Sequence, residues 1–490
     1  MIKWSIFLYA LLLGLSSCGD KSNRPNVLFI AIDDLRPELG CYGNQIVKTP
    51  NIDRVANGGF TFMHHYVQVP TCGASRCALL TGMRPATRQY LGNNVMAQLM
   101  ATAPEKSYPE TLIHQLKRNG YYTVGMGKIS HSADGLVYGY EEEPSDVREL
   151  PYSWDEFLFD AGKWRTGWNA FFGYVDGENR QSRRKLVKPY ERGNTTDKGY
   201  PDGLTTSLAL TKLEELKERK QPFFLGVGFF KPHLPFNAPA YYWDQYTESE
   251  MPLPAFTKIP KNVSPASLHE SSEFNQYALG EEKASLDTTL SDDYTRKLIH
   301  AYYACVSYID AQVGEIMEKL DDLQLTENTI VVIWGDHGWH LGDLRVWGKH
   351  TLSEYSLKSA LIFNVPGAKA KHGQVSDVVE SVDIFPTLLD LCGVDLPGTV
   401  DGKSFSRLFD EVGVSEKEAA AYSYFRNGIS VRTDTYRLTK YFRKEQPDIE
   451  LYNYVKDPDE TENIAGENPS IVQELLPLLE MGNTGLYEEK

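Results

Sequence analysis

The chain has 490 residues, enough for two to four domains at roughly 100–200 residues each, and is 41% hydrophobic and 24% charged, which are globular values. Sixty-six acidic against 50 basic residues give a formal charge of -16, which excludes a nucleic-acid binder that tracks phosphates with a net basic footprint. A few focused cations can still dominate one cleft and receive a small anion, and six cysteines are too few for a disulfide scaffold.

In chain order, Lys3 precedes an apolar run from Ile6 to Leu15, about ten residues against the ~20 of a membrane-crossing helix. A short basic start and a short apolar core read as an export signal. Its end, Leu15-Ser16-Ser17-Cys18, resembles a bacterial lipobox, in which the cysteine carries the lipid. The expectation is a signal over 1–18, a polar spacer over 19–24, and an exported bacterial lipoprotein. It would face the periplasm or cell surface and touch the membrane only through the lipid on Cys18.

Asn26–Ile32 is a short apolar run of strand formers, the pattern of a strand covered on both faces. Similar runs recur at Phe223–Gly228, Ile330–Trp334 and Leu361–Val365. Between them lie helical patterns. Pro109–Asn119 carries Leu112 and Leu116 on one face and stops at Gly120. Leu298, Tyr302, Val306, Ile309, Val313, Ile316 and Leu320 form the stripe of a long amphipathic helix. Strands alternating with helices predict an α/β fold with a large, mainly parallel sheet flanked by helices. Asn262–Ser291 is polar and reads as a long surface excursion of the kind that shapes a cleft. Near residue 415 the pattern changes to two short strands around Thr433-Asp434, a Leu451-Tyr452-Asn453 segment, and a last helix over Pro469–Glu480. The division expected is a large main body over 25–414 and a small C-terminal α+β unit with an antiparallel sheet over 415–490.

Asp33 and Asp34 directly follow the first apolar run, at the strand end where open parallel sheets bind ligands. Adjacent carboxylates there call for a positive charge between them. Ile330–Trp334 ends in Gly335-Asp336-His337-Gly338, which repeats the chemistry at a second strand end. Three carboxylates and an imidazole make an oxygen-rich divalent metal site, for which Ca²⁺ or Mg²⁺ fits best by ligand type. Cys72 opens a short helical pattern that ends at Gly82, near the positive end of the helix, with Arg76 one turn on. By itself Cys72 reads either as a low-pKa nucleophile or as a buried thiol. Cys41, Cys77, Cys305 and Cys392 show no pairing in their spacing and read as free, buried thiols.

Cys72-Gly73-Ala74-Ser75-Arg76, followed by Leu80-Thr81-Gly82, resembles the signature of the formylglycine-dependent sulfatases, with Ala74 where the commoner motif has Pro. Gly120–Lys128 resembles that family's second signature, and Lys231-Pro232-His233, Asp336-His337-Gly338 and Trp347-Gly348-Lys349 follow in the family's order. Within the family, Asp33–Pro37, Leu39–Gly43, Gly228–Phe236 and Tyr302–Asp310 are most similar to the iduronate-2-sulfatases and their bacterial polysaccharide-degrading relatives. The resemblance implies an alkaline-phosphatase-like fold. It also implies conversion of Cys72 to formylglycine by a formylglycine-generating or radical maturation enzyme, and one Ca²⁺ held by Asp33, Asp34, Asp336, His337 and residue 72. His337 stands where many sulfatases have Asn. Arg76, Lys128, His131, His233 and Lys349 would surround the sulfate, with His233 or Lys349 protonating the leaving sugar and His131 accepting a proton. The implied activity is hydrolysis of sulfate esters on a uronic-acid-containing polysaccharide or its oligosaccharides. The 2-O-sulfate of a uronic acid, in a glycosaminoglycan or an algal polymer such as ulvan, is the favoured target. The alternatives are a phosphonate or phosphodiester hydrolase of the same superfamily and a non-catalytic glycan-binding lipoprotein. Trp164, Trp168, Tyr174 and Trp243 are candidate sugar-stacking platforms.

Overall fold

A computed structural model describes residues 24–105, 109–370, 372–410 and 419–487. The export signal and Cys18 lie outside the described residues, as does the boundary expected near 415. The main sheet has eight strands: β1 (Asn26–Ile32), β2 (Phe60–Tyr66), β3 (Tyr122–Gly127), β4 (Glu156–Leu158), β5 (Phe223–Phe229), β6 (Thr329–Gly335), β7 (Leu361–Asn364) and β8 (Gly373–Glu380). Their order across the sheet is β8-β2-β7-β6-β1-β5-β3-β4. All run the same way except β7, which is antiparallel to both neighbours. The expected runs at 223, 330 and 361 are strands. An apolar run carries no direction, however, so the reversal of β7 was not foreseen.

The helices that cover the two sheets are chiefly α1 (Cys72–Thr81), α2 (Leu112–Arg118), α3 (Pro201–Glu218), α4 (Asp292–Asp322), α5 (Ile384–Leu391) and α6 (Pro469–Met481). Strand β1 explains why both faces of the sheet are covered. Leu28, Ile30 and Ile32 point into one apolar layer with α3 and α4. Val27, Phe29 and Ala31 point into the other with α1, α2 and α5, as a period of two requires. The stripe from Leu298 to Leu320 is the buried side of α4. Helix α2 is shorter than its pattern because the Thr111 hydroxyl accepts a hydrogen bond from the His114 N–H at 3.1 Å and caps it.

Parallel strands bring their carboxyl ends to one edge. Ile32 pairs with Gly335 and Gly127 with Gly228, so the residues that follow β1, β3, β5 and β6 emerge side by side. This edge is tightly packed: a Cβ on Gly228 would overlap the Lys128 carbonyl. Gly228→Ala is therefore expected to cost about 3 kcal/mol, because backbone must move to admit one methyl. A lowered apparent melting temperature would register it.

The C-terminal part carries the expected antiparallel sheet, now with four strands: β9 (Ala421–Phe425), β10 (Gly428–Arg432), β11 (Tyr436–Tyr441) and β12 (Ile449–Asn453). Helix α6 packs on it through its own apolar cluster. Glu354 joins this sheet to the body. It accepts a hydrogen bond from the Tyr66 hydroxyl at 2.8 Å and lies 3.4 Å from Arg432 and 3.9 Å from Arg437. Burial raises the Glu354 carboxyl, but Arg432, Lys358 and Arg437 outweigh it and bring it from 4.5 to about 2. A carboxylate lowered in this way stabilises the fold by about 3 kcal/mol above pH 4.5, and that contribution is lost as pH falls toward 2. Glu354→Gln is expected to lower the melting temperature at pH 7. Its deficit against the parent protein should shrink steadily between pH 4.5 and 2.

Candidate functional site

Asp33 and Asp34 leave β1 as fully buried residues, and Asp34 takes a left-handed φ of 59°. That turn lets its N–H donate to Asp336 Oδ1 at 2.9 Å while its carbonyl accepts from the Tyr302 hydroxyl of α4 at 2.7 Å. Asp336 and His337 leave β6 alongside and are equally buried. Helix α1 brings its first residue, Cys72, to the same point. A side chain at Gly73 would overlap the Asn93 carbonyl, so only glycine permits that close approach.

Ligand atoms of Asp33, Asp34, Cys72 and His337 all lie within 4.8 Å of one another. Asp34 Oδ2 is buried without a hydrogen-bond partner. Burial pushes the Asp34 carboxyl well above its usual range despite Lys349 and His337, with Cys72 and Asp33 adding repulsion. A hard divalent cation answers all three facts, so this donor set fits one. Asp336, expected as a further ligand, stands at the edge. Its Oδ1 accepts from Asp34 N and its Oδ2 from Arg76 Nε at 2.9 Å.

The cations divide their work. Arg76 is spent on protein groups: Asp336, Asp33 Oδ1 at 3.2 Å, and the carbonyls of Lys128 and Ile129. It locks the carboxylates rather than pointing back at Cys72. Lys128 Nζ lies 2.6 Å from Asp33 Oδ2 and 4.3 Å from the Phe171 ring centre. Lys349 Nζ donates to Asp34 Oδ1 at 2.8 Å and reaches Cys72 Sγ at 3.3 Å. His337 Nε2 also stands 3.3 Å from that sulfur. The Cys72 thiol is nevertheless pushed up to about 12 by burial and by Asp33, against the pull of Lys128 and Lys349. As a thiol it stays protonated and is a weak nucleophile.

His131 packs 5.3 Å from the Trp168 ring, and its Nδ1 has no partner. Burial and Lys128 hold it well below the usual imidazole range, in its neutral, proton-accepting form. His233 is presented by a turn that Asp202 and Lys231 brace. Asp202 accepts from Phe230 N at 2.6 Å, and Lys231 Nζ donates to the carbonyls of His233 and Pro235. The His233 ring meets the Leu234 carbonyl at Nδ1, 2.6 Å away, and Glu273 Oε1 at Nε2, 3.1 Å away.

Glu273 was missed in the sequence. It lies in the stretch 262–291, which is not merely a surface excursion: Leu268, Phe274, Tyr277, Leu286 and Leu290 within it are buried. Burial raises the Glu273 carboxyl, but Lys349, 3.5 Å away, and His233 outweigh it and hold it well below the usual range. Of the proposed aromatic platforms, Trp168 adjoins the site. Trp164 donates to the Tyr174 carbonyl at 3.0 Å and both are core residues, while Trp243 packs against His300. Tyr140 is the exposed ring here, edge-on to Trp168 at 4.7 Å. Among the described residues the remaining cysteines are free, with Cys41 part-exposed and Cys77, Cys305 and Cys392 buried.

Comparison with known proteins places this geometry. The family profile described as Sulfatase matches residues 25–394, and one described as N-sulphoglucosamine sulphohydrolase, C-terminal, matches 335–481. A protein named Sulfatase from Formosa agariphila is 30% identical over 456 residues, covering 90% of this chain and 83% of its own. Human iduronate 2-sulfatase is 32% identical over 413 residues, covering 78% and 71%. Among solved structures, the phosphonate monoester hydrolase of Agrobacterium radiobacter shares the fold with a TM-score of 0.73 at 22% identity, covering 94% and 96%.

Proposed function

Because the chain belongs to the sulfatase family and is an enzyme that hydrolyses sulfate esters, we propose that its substrate is a sulfated, uronic-acid-containing polysaccharide or its oligosaccharides. The favoured bond is the 2-O-sulfate of a uronic acid, in a glycosaminoglycan or an algal polymer such as ulvan. The observation that carries the reading is the convergence of Asp33, Asp34, Cys72 and His337 within 4.8 Å, with Lys349 on the same sulfur.

In this reading a maturation enzyme converts Cys72 to formylglycine. Its hydrate supplies one hydroxyl to attack sulfur and a second to expel sulfate afterwards, which neither a thiol nor a serine can do. Asp33, Asp34, His337 and residue 72 would hold Ca²⁺, with Asp336 beside them, and the ion would supply charge to the nucleophile and the sulfuryl oxygens. Lys128 and Lys349 are preorganised cations for the charge that develops on those oxygens. Burial lowers Lys349, but Asp34 and residue 72 hold it well above its ordinary value, so it remains charged. His131, neutral and unpartnered at Nδ1, takes the proton of the second hydroxyl. Burial and Lys349 lower the His233 imidazole to about 4, so a proton on Nε2 depends on the Asp34 and Glu273 carboxylates that flank it, and from there it can pass to the departing sugar oxygen. Export and a lipid on Cys18 complete the proposal and place the enzyme where polymers reach it.

The test is free sulfate release from defined sulfated oligosaccharides of animal and algal origin, set against phosphonate and phosphate esters. A preference for uronate 2-O-sulfates is expected, and faster turnover of phosphonate monoesters would contradict it.

A further inference from the structure

Among the described residues, the buried arginines other than Arg180 are matched by acids: Arg76 by Asp33 and Asp336, Arg432 by Glu354, and Arg437 by Glu460. Arg180 is 5% exposed yet makes no ion pair among them, and its Nε is buried without a partner. Its guanidinium lies over aromatic rings, 3.7 Å from the centre of Phe172 and 5.6 Å from that of Tyr277. The rings hold the fork in place, and the polar group that meets it is the Tyr277 hydroxyl, which is neutral and does not balance the charge.

The position of this charge gives it a purpose. Phe172, which carries the guanidinium, also lies 6.3 Å from the His233 ring and 5.4 Å from Tyr140. The Tyr140 hydroxyl feels Lys128, residue 72, Glu273 and Arg180 at once. Arg180 therefore lies one ring away from the proposed proton donor and close to the exposed Tyr140, which adjoins the Trp168 that packs on His131. Glu273, the nearby acid, is already held by His233 and Lys349. A desolvated cation is unfavourable unless an anion meets it, and a planar guanidinium pairs two-pronged with a carboxylate or a sulfate.

We propose that Arg180 is a specificity-determining residue that grips a second anionic group, a carboxylate or a further sulfate, on the saccharide whose sulfate ester is cleaved at residue 72. This rests on the sulfatase reading and deepens it, since it makes a second negative charge part of what the site selects.

The experiment compares kcat/KM of the matured enzyme, Arg180→Met and Arg180→Lys on four substrates. These are an uncharged aryl sulfate, a sulfated disaccharide with a uronic carboxylate, the same disaccharide with that carboxyl reduced to an alcohol, and a disulfated disaccharide without a carboxylate. In Arg180→Met the preference for the best dianionic saccharide over the aryl sulfate should fall about 30-fold or more, mainly through KM, the scale of a hydrogen-bonded charge. Arg180→Lys should recover part of it. The parent enzyme's loss on the carboxyl-reduced sugar, or its gain on the disulfated one, tells which anion is read. A preference in Arg180→Met within about threefold of the parent, a margin set by a lost neutral contact, would overturn the proposal. So would equal losses on aryl sulfate and saccharide. If the parent enzyme cleaved no sulfate ester at all, the sulfatase reading itself would fall, a result distinct from an unchanged ratio.

Discussion

Cys72→Ala is expected to reduce sulfate release by about 10⁵-fold or more, the scale of removing a covalent nucleophile that acts with its partners as a unit. The variant should fold, because Ala at the first position of α1 removes only a sulfur that touches Lys349 and His337. Loss of activity with an unchanged melting temperature and retained affinity for the sulfated saccharide would separate chemistry from folding. Cys72→Ser that stays unmodified should differ in kind. Its single hydroxyl can attack sulfur once, but it has no second hydroxyl to collapse and expel sulfate. At most one equivalent of leaving group should appear before turnover stops.

Asp34→Asn carries the second largest expected effect. The Asp34 carboxylate accepts from Lys349 at Oδ1, approaches His337 at 3.4 Å, and leaves Oδ2 without a hydrogen bond, 3.8 Å from His233. An amide would keep the shape, remove the charge, and turn a donor NH₂ toward one of those cations. Divalent-ion affinity should drop by at least 10–100-fold, the range seen for weaker perturbations around metal ligands. The kcat/KM for sulfate release should fall about 10³-fold even with excess Ca²⁺, since the charge that stabilises the transition state is misplaced. In the parent enzyme, exhaustive chelation should abolish turnover and Ca²⁺ should restore it. Full activity after chelation would contradict a metal at this site.

Much of this site was legible in the sequence because its residues are tied to local patterns. Asp33 and Asp336 follow short apolar runs of the kind that suits strands covered on both faces, and Cys72 opens a helix that ends at a left-handed glycine, Gly82, with φ of 67°. The strands that escaped notice are those without such runs. Gly373–Glu380 is an edge strand, largely exposed through its first half, and Tyr122–Gly127 is interrupted by Gly125. Glu273 and Arg180 could not be read at all. Each is a lone charged residue in a stretch without sequence periodicity, and only the tertiary fold carries Glu273 to His233 and leaves Arg180 without an ion-pair partner among the described residues. Trp164, Tyr174 and Trp243 went the other way. Large rings suggested a sugar platform, but burial in the core is the commoner fate of such side chains, and the exposed ring beside Trp168 is Tyr140 instead.

The account depends most on the chemical state of residue 72, and reaction of the active enzyme with an aldehyde-specific hydrazide, followed by peptide mapping, reads that state directly. The label should fall on residue 72, and sulfate release should decline in proportion to labelling. A fully active enzyme whose residue 72 is an unlabelled thiol would contradict it.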